Sequence, residues 1–200
     1  MPVKEVLAII SVGLMLSSRF TYLSSILSGK TKPHAFSWFI WFVISLIGFT
    51  AQVVEGAGPG AWARGVGCAS CLVFAVLAWF RGEQNITQGD KITLAAALAA
   101  IPLWALTKTP IWSVILVCCI DTAGYLPTAR KSWRKPDEER IRSYLISSMG
   151  SFFSVLAVEN YNPSTWLYPT VLVVTNAAMG CYLFIRRKSV TSRRSSVRLQ

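Results

Sequence analysis

Apolar residues run through this chain in long blocks broken by short polar stretches. Blocks long enough to cross a lipid bilayer, about 17 to 25 residues each, fall at 3–27, 34–55, 61–80, 91–107, 110–130, 141–158 and 165–185. Between them lie Lys30 to Pro33, Gly56 to Gly60, Gly82 to Asp90, Lys108 to Pro110, Arg134 to Arg142 and Asn160 to Ser164, the Gly, Pro, Asn and charged residues that end helices. The pattern predicts seven membrane-spanning helices. The fourth and fifth are separated by little more than Lys108 and Pro110, and the sixth is the least apolar, holding Ser143, Ser147, Ser148, Ser151 and Ser154.

The blocks also repeat. Val54, Glu55, Pro59 and Trp62 recur as Val158, Glu159, Pro163 and Trp166, 104 positions later. Tyr22, Leu23, Lys32 and Pro33 recur as Tyr125, Leu126, Lys135 and Pro136, 103 positions later. A near-constant offset over two stretches points to a duplicated unit. The expected units are a three-helix repeat at 1–82, a linker helix at 83–109, a second three-helix repeat at 110–186 and a basic tail at 187–200.

Composition agrees with the blocks. Hydrophobic residues make up 53% of the 200 and charged residues 14%, against about 25% charged in soluble domains; mean hydropathy is +0.47. The net charge of +11 is arranged by topology and calls for no nucleic acid. With the N-terminus outside, sixteen of the 20 Lys and Arg fall on the inner side and only Lys4, Arg64 and Lys108 on the outer, with Arg19 inside a span. Positive charge concentrates on cytoplasmic loops, which predicts N-out, C-in. A three-helix unit begins and ends on opposite faces, so one linker helix gives both copies the same orientation. The result is a 3+1+3 parallel repeat, multi-pass in the cell membrane (the inner membrane of a bacterium). The first span has no small-residue cleavage site and is expected to be retained.

The run from Gly124 to Lys135, Gly-Tyr-Leu-Pro-Thr-Ala-Arg-Lys-Ser-Trp-Arg-Lys, followed by a polar turn and a new span at Ser143, resembles the PQ-loop signature. With the 3+1+3 count, the chain is similar to SWEET and PQ-loop membrane proteins, particularly small bacterial ones. Thr128 stands where that family usually has Gln, and the first copy has Ser24 and Ser25 in place of Pro-Gln. The resemblance implies a central pathway between two bundles, with a hinge at Pro127. It also matches Asn176 to a substrate-contacting Asn of the last helix; the equivalent position in the first copy is Leu72. Sugar does not transfer with it as the substrate, since other members handle amino acids or act as receptors.

The residues themselves single out a stripe. Ser18, Tyr22 and Ser25 in the first helix, and Asp121, Tyr125 and Thr128 in the fifth, share helical spacing and the 103 offset. Such a stripe faces away from lipid, lining a pathway or joining helices by hydrogen bonds. Arg19 and Asp121 lie near mid-span in equivalent helices, where an unpaired charge costs from about 3 to more than 10 kcal/mol; the expectation is that they pair, either as a gate or substrate clamp or as a purely structural ion pair. The substrate-binding set is therefore Asn176, Tyr22, Tyr125, Thr128 and Ser18. Cys68 and Cys71 have C-x-x-C spacing but no second Cys or His pair, so packing is expected rather than metal. No cofactor is expected and no enzymatic arrangement is found within the spans. The partners expected are a small polar solute, sugar-like as a starting point, and anionic lipid at the basic tail, with room for a homo-oligomer. The functional expectation is a transporter, uniporting or proton-coupled; the alternative is a receptor or scaffold that binds without transport.

Overall fold

The computed structural model describes residues 3–29, 33, 35–82, 88–134, 136–139 and 141–197, with side chains described at all of these except 25, 90, 126–128, 130, 131, 134, 138 and 191–197. The described chain is all-helical: α1 Val3–Leu27, α2 Ala35–Val54, α3 Trp62–Arg81, α4 Gln88–Thr107, α5 Ile111–Arg134, α6 Ile141–Leu156 and α7 Pro163–Val197. Among the described residues, four segments are long and apolar enough to cross a membrane: Val3–Ser24, Ala35–Val54, Gly58–Arg81 and Pro163–Val190. The apolar parts of α4 and α5 are shorter, at Lys91–Thr107 and Ile111–Tyr125. The basic tail begins as the last turns of α7.

The helix ends follow from local chemistry. Gly56 takes a left-handed φ of 72° after α2, and the Ala57 N–H then reaches back to the Gln52 carbonyl at 2.8 Å, closing a Schellman turn. A 3₁₀ turn at Gly58–Ala61, begun by Pro59, feeds α3. At the start of α7, Asn162 accepts the Ser164 N–H at 2.9 Å, and Thr165 Oγ1 accepts the Asn162 N–H at 3.1 Å. That is a capping box with Pro163 in the first helical position, where a missing N–H costs nothing.

α3 packs on both α1 and α2, and α7 on both α5 and α6. Between these groups α1 lies against α6 and α2 against α5, and α4 covers α2 and α5. One core joins Val43, Ile44 and Ile47 of α2, Ala97 and Ala100 of α4, Val114 and Val117 of α5 and Tyr168 of α7. A second joins Ile26, Trp38, Cys71, Phe74 and Ala78 of α1 to α3. The serines of α6 serve as helix-to-helix ties: Ser148 donates to the Val173 carbonyl at 2.9 Å and Ser154 to Gly60 at 2.7 Å, while Ser11 of α1 donates to Gly150 at 2.6 Å. Large apolar side chains cover the outside instead, among them Phe20, Phe80 and Leu106. Polar groups inside and apolar groups outside are the arrangement of a bundle solvated by lipid.

At one end the connections α2–α3 and α6–α7 clasp each other. Glu159 N–H donates to the Ala57 carbonyl at 3.1 Å, and Asn160 N–H to Gly56 at 3.3 Å. The Asn160 side chain donates to Glu55 at 3.0 Å, and Lys4 to Val158 at 2.6 Å. The approach depends on two glycines. A Cβ at Gly60 would stand 2.7 Å from a Val158 methyl, and one at Gly58, itself at φ 58°, would collide with the Glu159 carboxylate.

Candidate functional site

The site grows from a break in α7. Pro169 has no N–H, so the helix cannot satisfy the Thr165 carbonyl four residues earlier. Gln52 of α2 supplies the missing donor, its Nε2 lying 2.8 Å from that oxygen. One turn along α2, Gly48 leaves room for the Tyr168 ring, for a Cβ there would come within 2.6 Å of it. Tyr168 is therefore held with only 1% exposure between helices, and Arg64 lays its guanidinium over the ring, 4.1 Å from the centroid. Such stacking stabilises a desolvated cation by about 2 kcal/mol.

Asp121 of α5 completes the cluster. It keeps 9% exposure and Arg64 8%. The strongest cationic influence on Asp121 is Arg64, with Arg19 weaker, and the Tyr168 side chain acts on it as a hydrogen-bonding group. Yet among the described residues no ion pair joins Asp121 to either arginine, and Asp121 Oδ2, Arg64 Nε and Gln52 Oε1 are buried with no hydrogen-bond partner. Arg64 also sits in the first turn of α3, the positive end of the helix dipole, which disfavours a cation. Opposite charges thus share one interior without touching, at the junction of α2, α3, α5 and α7.

The other predicted residues are distributed around this cluster. Arg19 is half-buried, its guanidinium 5.6 Å from the Trp38 ring centroid. Tyr22 accepts the Trp38 Nε1–H at 3.2 Å and packs edge-on against Phe74 at 5.2 Å. Ser18 Oγ lies 3.5 Å from Ser143 Oγ, a link between α1 and α6. Tyr125 is half-buried, its ring 6.4 Å from that of Tyr144 and its hydroxyl beside Thr175. Asn176 is buried, and its amide donates at 2.8 Å to Leu172, one turn back in its own helix. The side chains of Thr128, Ser25 and the expected hinge Pro127 lie outside the described residues, as does His34. Cys68 and Cys71 are buried in α3, Cys71 within the core that holds Trp38 and Phe74.

Arg64, Tyr168 and Gln52 were not among the candidates that sequence reasoning selected. Arg64 reads as the first charge of an outer connection, Tyr168 as one more aromatic and Gln52 as a span end. One signal was available: Arg64 and Tyr168 stand 104 positions apart, the offset that relates Trp62 to Trp166. A groove of about 430 Å³ between α5 and α7, lined by Cys118, Cys119, Thr122, Ala123 and Val171, runs beside the cluster without including the carboxylate. No family model, curated protein or solved structure matches the chain.

Proposed function

We propose that the protein is a multi-pass membrane transporter for a small polar solute, with its site between two parallel three-helix units. The observation that carries this reading is the Arg64–Asp121 pair, buried and without contact or full hydrogen bonding. Ionised groups inside a low-dielectric bundle cost several kcal/mol each, and well-packed apolar residues hold helices together at least as well. A cluster of this kind is therefore better explained by work on a polar solute than by stability.

Three features support the parallel plan. The neighbours of α1, α2 and α3 correspond to those of α5, α6 and α7, because α1–α6 and α2–α5 contacts exchange under the repeat. The repeated Val-Glu segments meet in the clasp at one end, whereas inverted units would carry them to opposite faces. Arg64 and Tyr168 hold equivalent positions and stack on each other, as residues near a two-fold axis do. With the N-terminus outside, the clasp closes the outer end. The likeness to SWEET and PQ-loop proteins fits this plan.

The test is uptake of labelled small solutes into sealed liposomes that hold the purified chain. Uptake should exceed that of empty liposomes and fall in a folded Asp121→Asn variant. Saturable binding without uptake would favour a receptor or scaffold instead.

A further inference from the structure

The same cluster indicates the chemical class of the solute, an inference that rests on the transporter reading for its setting but not for its test. Of the four buried side-chain atoms without partners among the described residues, three belong to these side chains and differ in kind: Arg64 Nε is a donor on a cation, Asp121 Oδ2 an acceptor on an anion, and Gln52 Oε1 a neutral acceptor. Arg64 holds its guanidinium carbon 4.1 Å from the Tyr168 ring centroid, and its unpartnered Nε–H is a charged donor of the kind that binds a carboxylate. The charged acceptor, Asp121 Oδ2, suits an ammonium.

Net charge narrows the choice further. Arg64 and Asp121 together are neutral, so a ligand with net charge would unbalance a buried site. A lone cation would face Arg64, with Arg19 adding a weaker positive influence on Asp121, and a lone anion would face Asp121. A neutral polyol satisfies hydrogen bonds but leaves both charges without a counterpart. A solute with both charges and no net charge complements the cluster at each end.

We infer that Arg64, Asp121 and Tyr168 form a binding site for a small zwitterion, its anionic end on Arg64 and its cationic end toward Asp121, with Gln52 Oε1 a further unpartnered acceptor on α2. This departs from the sugar-like starting expectation and moves the principal binding residues from the expected set of Asn176, Tyr22, Tyr125, Thr128 and Ser18 to Arg64 and Asp121.

The purified full chain in lipid nanodiscs tests the inference by the thermal unfolding midpoint. The probes are glycine, β-alanine, γ-aminobutyrate and glycine betaine, set against ethylamine, propionate and erythritol. At least one zwitterion should raise the midpoint saturably at millimolar concentration, and the three controls should not. Arg64→Gln and Asp121→Asn should each weaken that response by about tenfold or more. Where either fails to fold, Arg64→Lys and Asp121→Glu replace them and should shift which charge separation is preferred. No response to any zwitterion, an equal response to erythritol, or a response unchanged in the variants would overturn the inference. Zwitterion binding without vesicle uptake would overturn the transporter reading alone, and erythritol uptake without a zwitterion response would overturn this inference alone.

Discussion

Replacing Gln52 with Leu should be damaging only because α7 contains Pro169. Gln52 Nε2 supplies the Thr165 carbonyl with the hydrogen bond, 2.8 Å long, that the proline removes. Leu at position 52 leaves a buried backbone acceptor unpaired, at about 1 to 3 kcal/mol. Losing the unpartnered Gln52 Oε1 offsets part of this, so about 1 to 2 kcal/mol remains. Pro169→Ala restores a helix N–H to the same carbonyl and makes the Gln52 bond redundant. In that background Gln52→Leu should therefore cost close to nothing. A chain of this size loses about 2 to 4 °C per kcal/mol. Gln52→Leu should then lower the unfolding midpoint by about 2 to 8 °C when Pro169 is present, and by less than about 2 °C in the Pro169→Ala background. The difference is the coupling energy of a double-mutant cycle, read from thermal unfolding of detergent-purified protein. Equal losses in the two backgrounds would refute the reasoning.

Arg64→Leu or Asp121→Leu alone should lower folded yield, because removing one of two buried opposite charges typically costs about 3 to 5 kcal/mol, and the double Leu variant should recover it; fluorescence-detected size exclusion reads the yield. Arg19→Leu should be milder than Arg64→Leu in the same assay, since Arg19 is half-exposed and held over Trp38. Gly58→Ala should destabilise by about 1 to 2 kcal/mol from its left-handed φ alone, with the displaced Glu159 adding to it; the unfolding midpoint measures this, and an unchanged value would show that the clasp yields freely. Cysteines placed at Glu55 and Glu159 should react with an impermeant maleimide from one side of the membrane and a cysteine at Asp137 from the other.

The helices were legible because each polar break carries its own stop chemistry: Gly56, Gly82, Lys108 with Pro110, and Asn162 with Pro163. The α6 serines were legible as polar, though their partners at Val173 and Gly60 lie on other elements. The stripe of Ser18, Tyr22, Asp121 and Tyr125 was visible from spacing, but spacing fixes only a helix face. Which face meets which depends on Gly48, Gly58 and Gly60, which set how closely α2, α3 and α7 approach. Those approaches draw Arg64 inward and make it the principal cationic influence on Asp121, with Arg19 secondary. The role of Gln52 was illegible for a similar reason: it answers a hydrogen bond lost to Pro169, and those residues stand 117 positions apart.

In the proposed transporter, solute passes between the two three-helix units, behind the clasp. A Cβ at Gly56 would lie 3.6 Å from the Asn160 Cβ, within the range of about 3.5 to 4.5 Å that a disulfide spans. Liposomes holding Gly56→Cys/Asn160→Cys should take up solute when reduced, lose uptake when oxidised and regain it with dithiothreitol. Full cross-linking, read by mass spectrometry, with uptake undiminished would contradict the account.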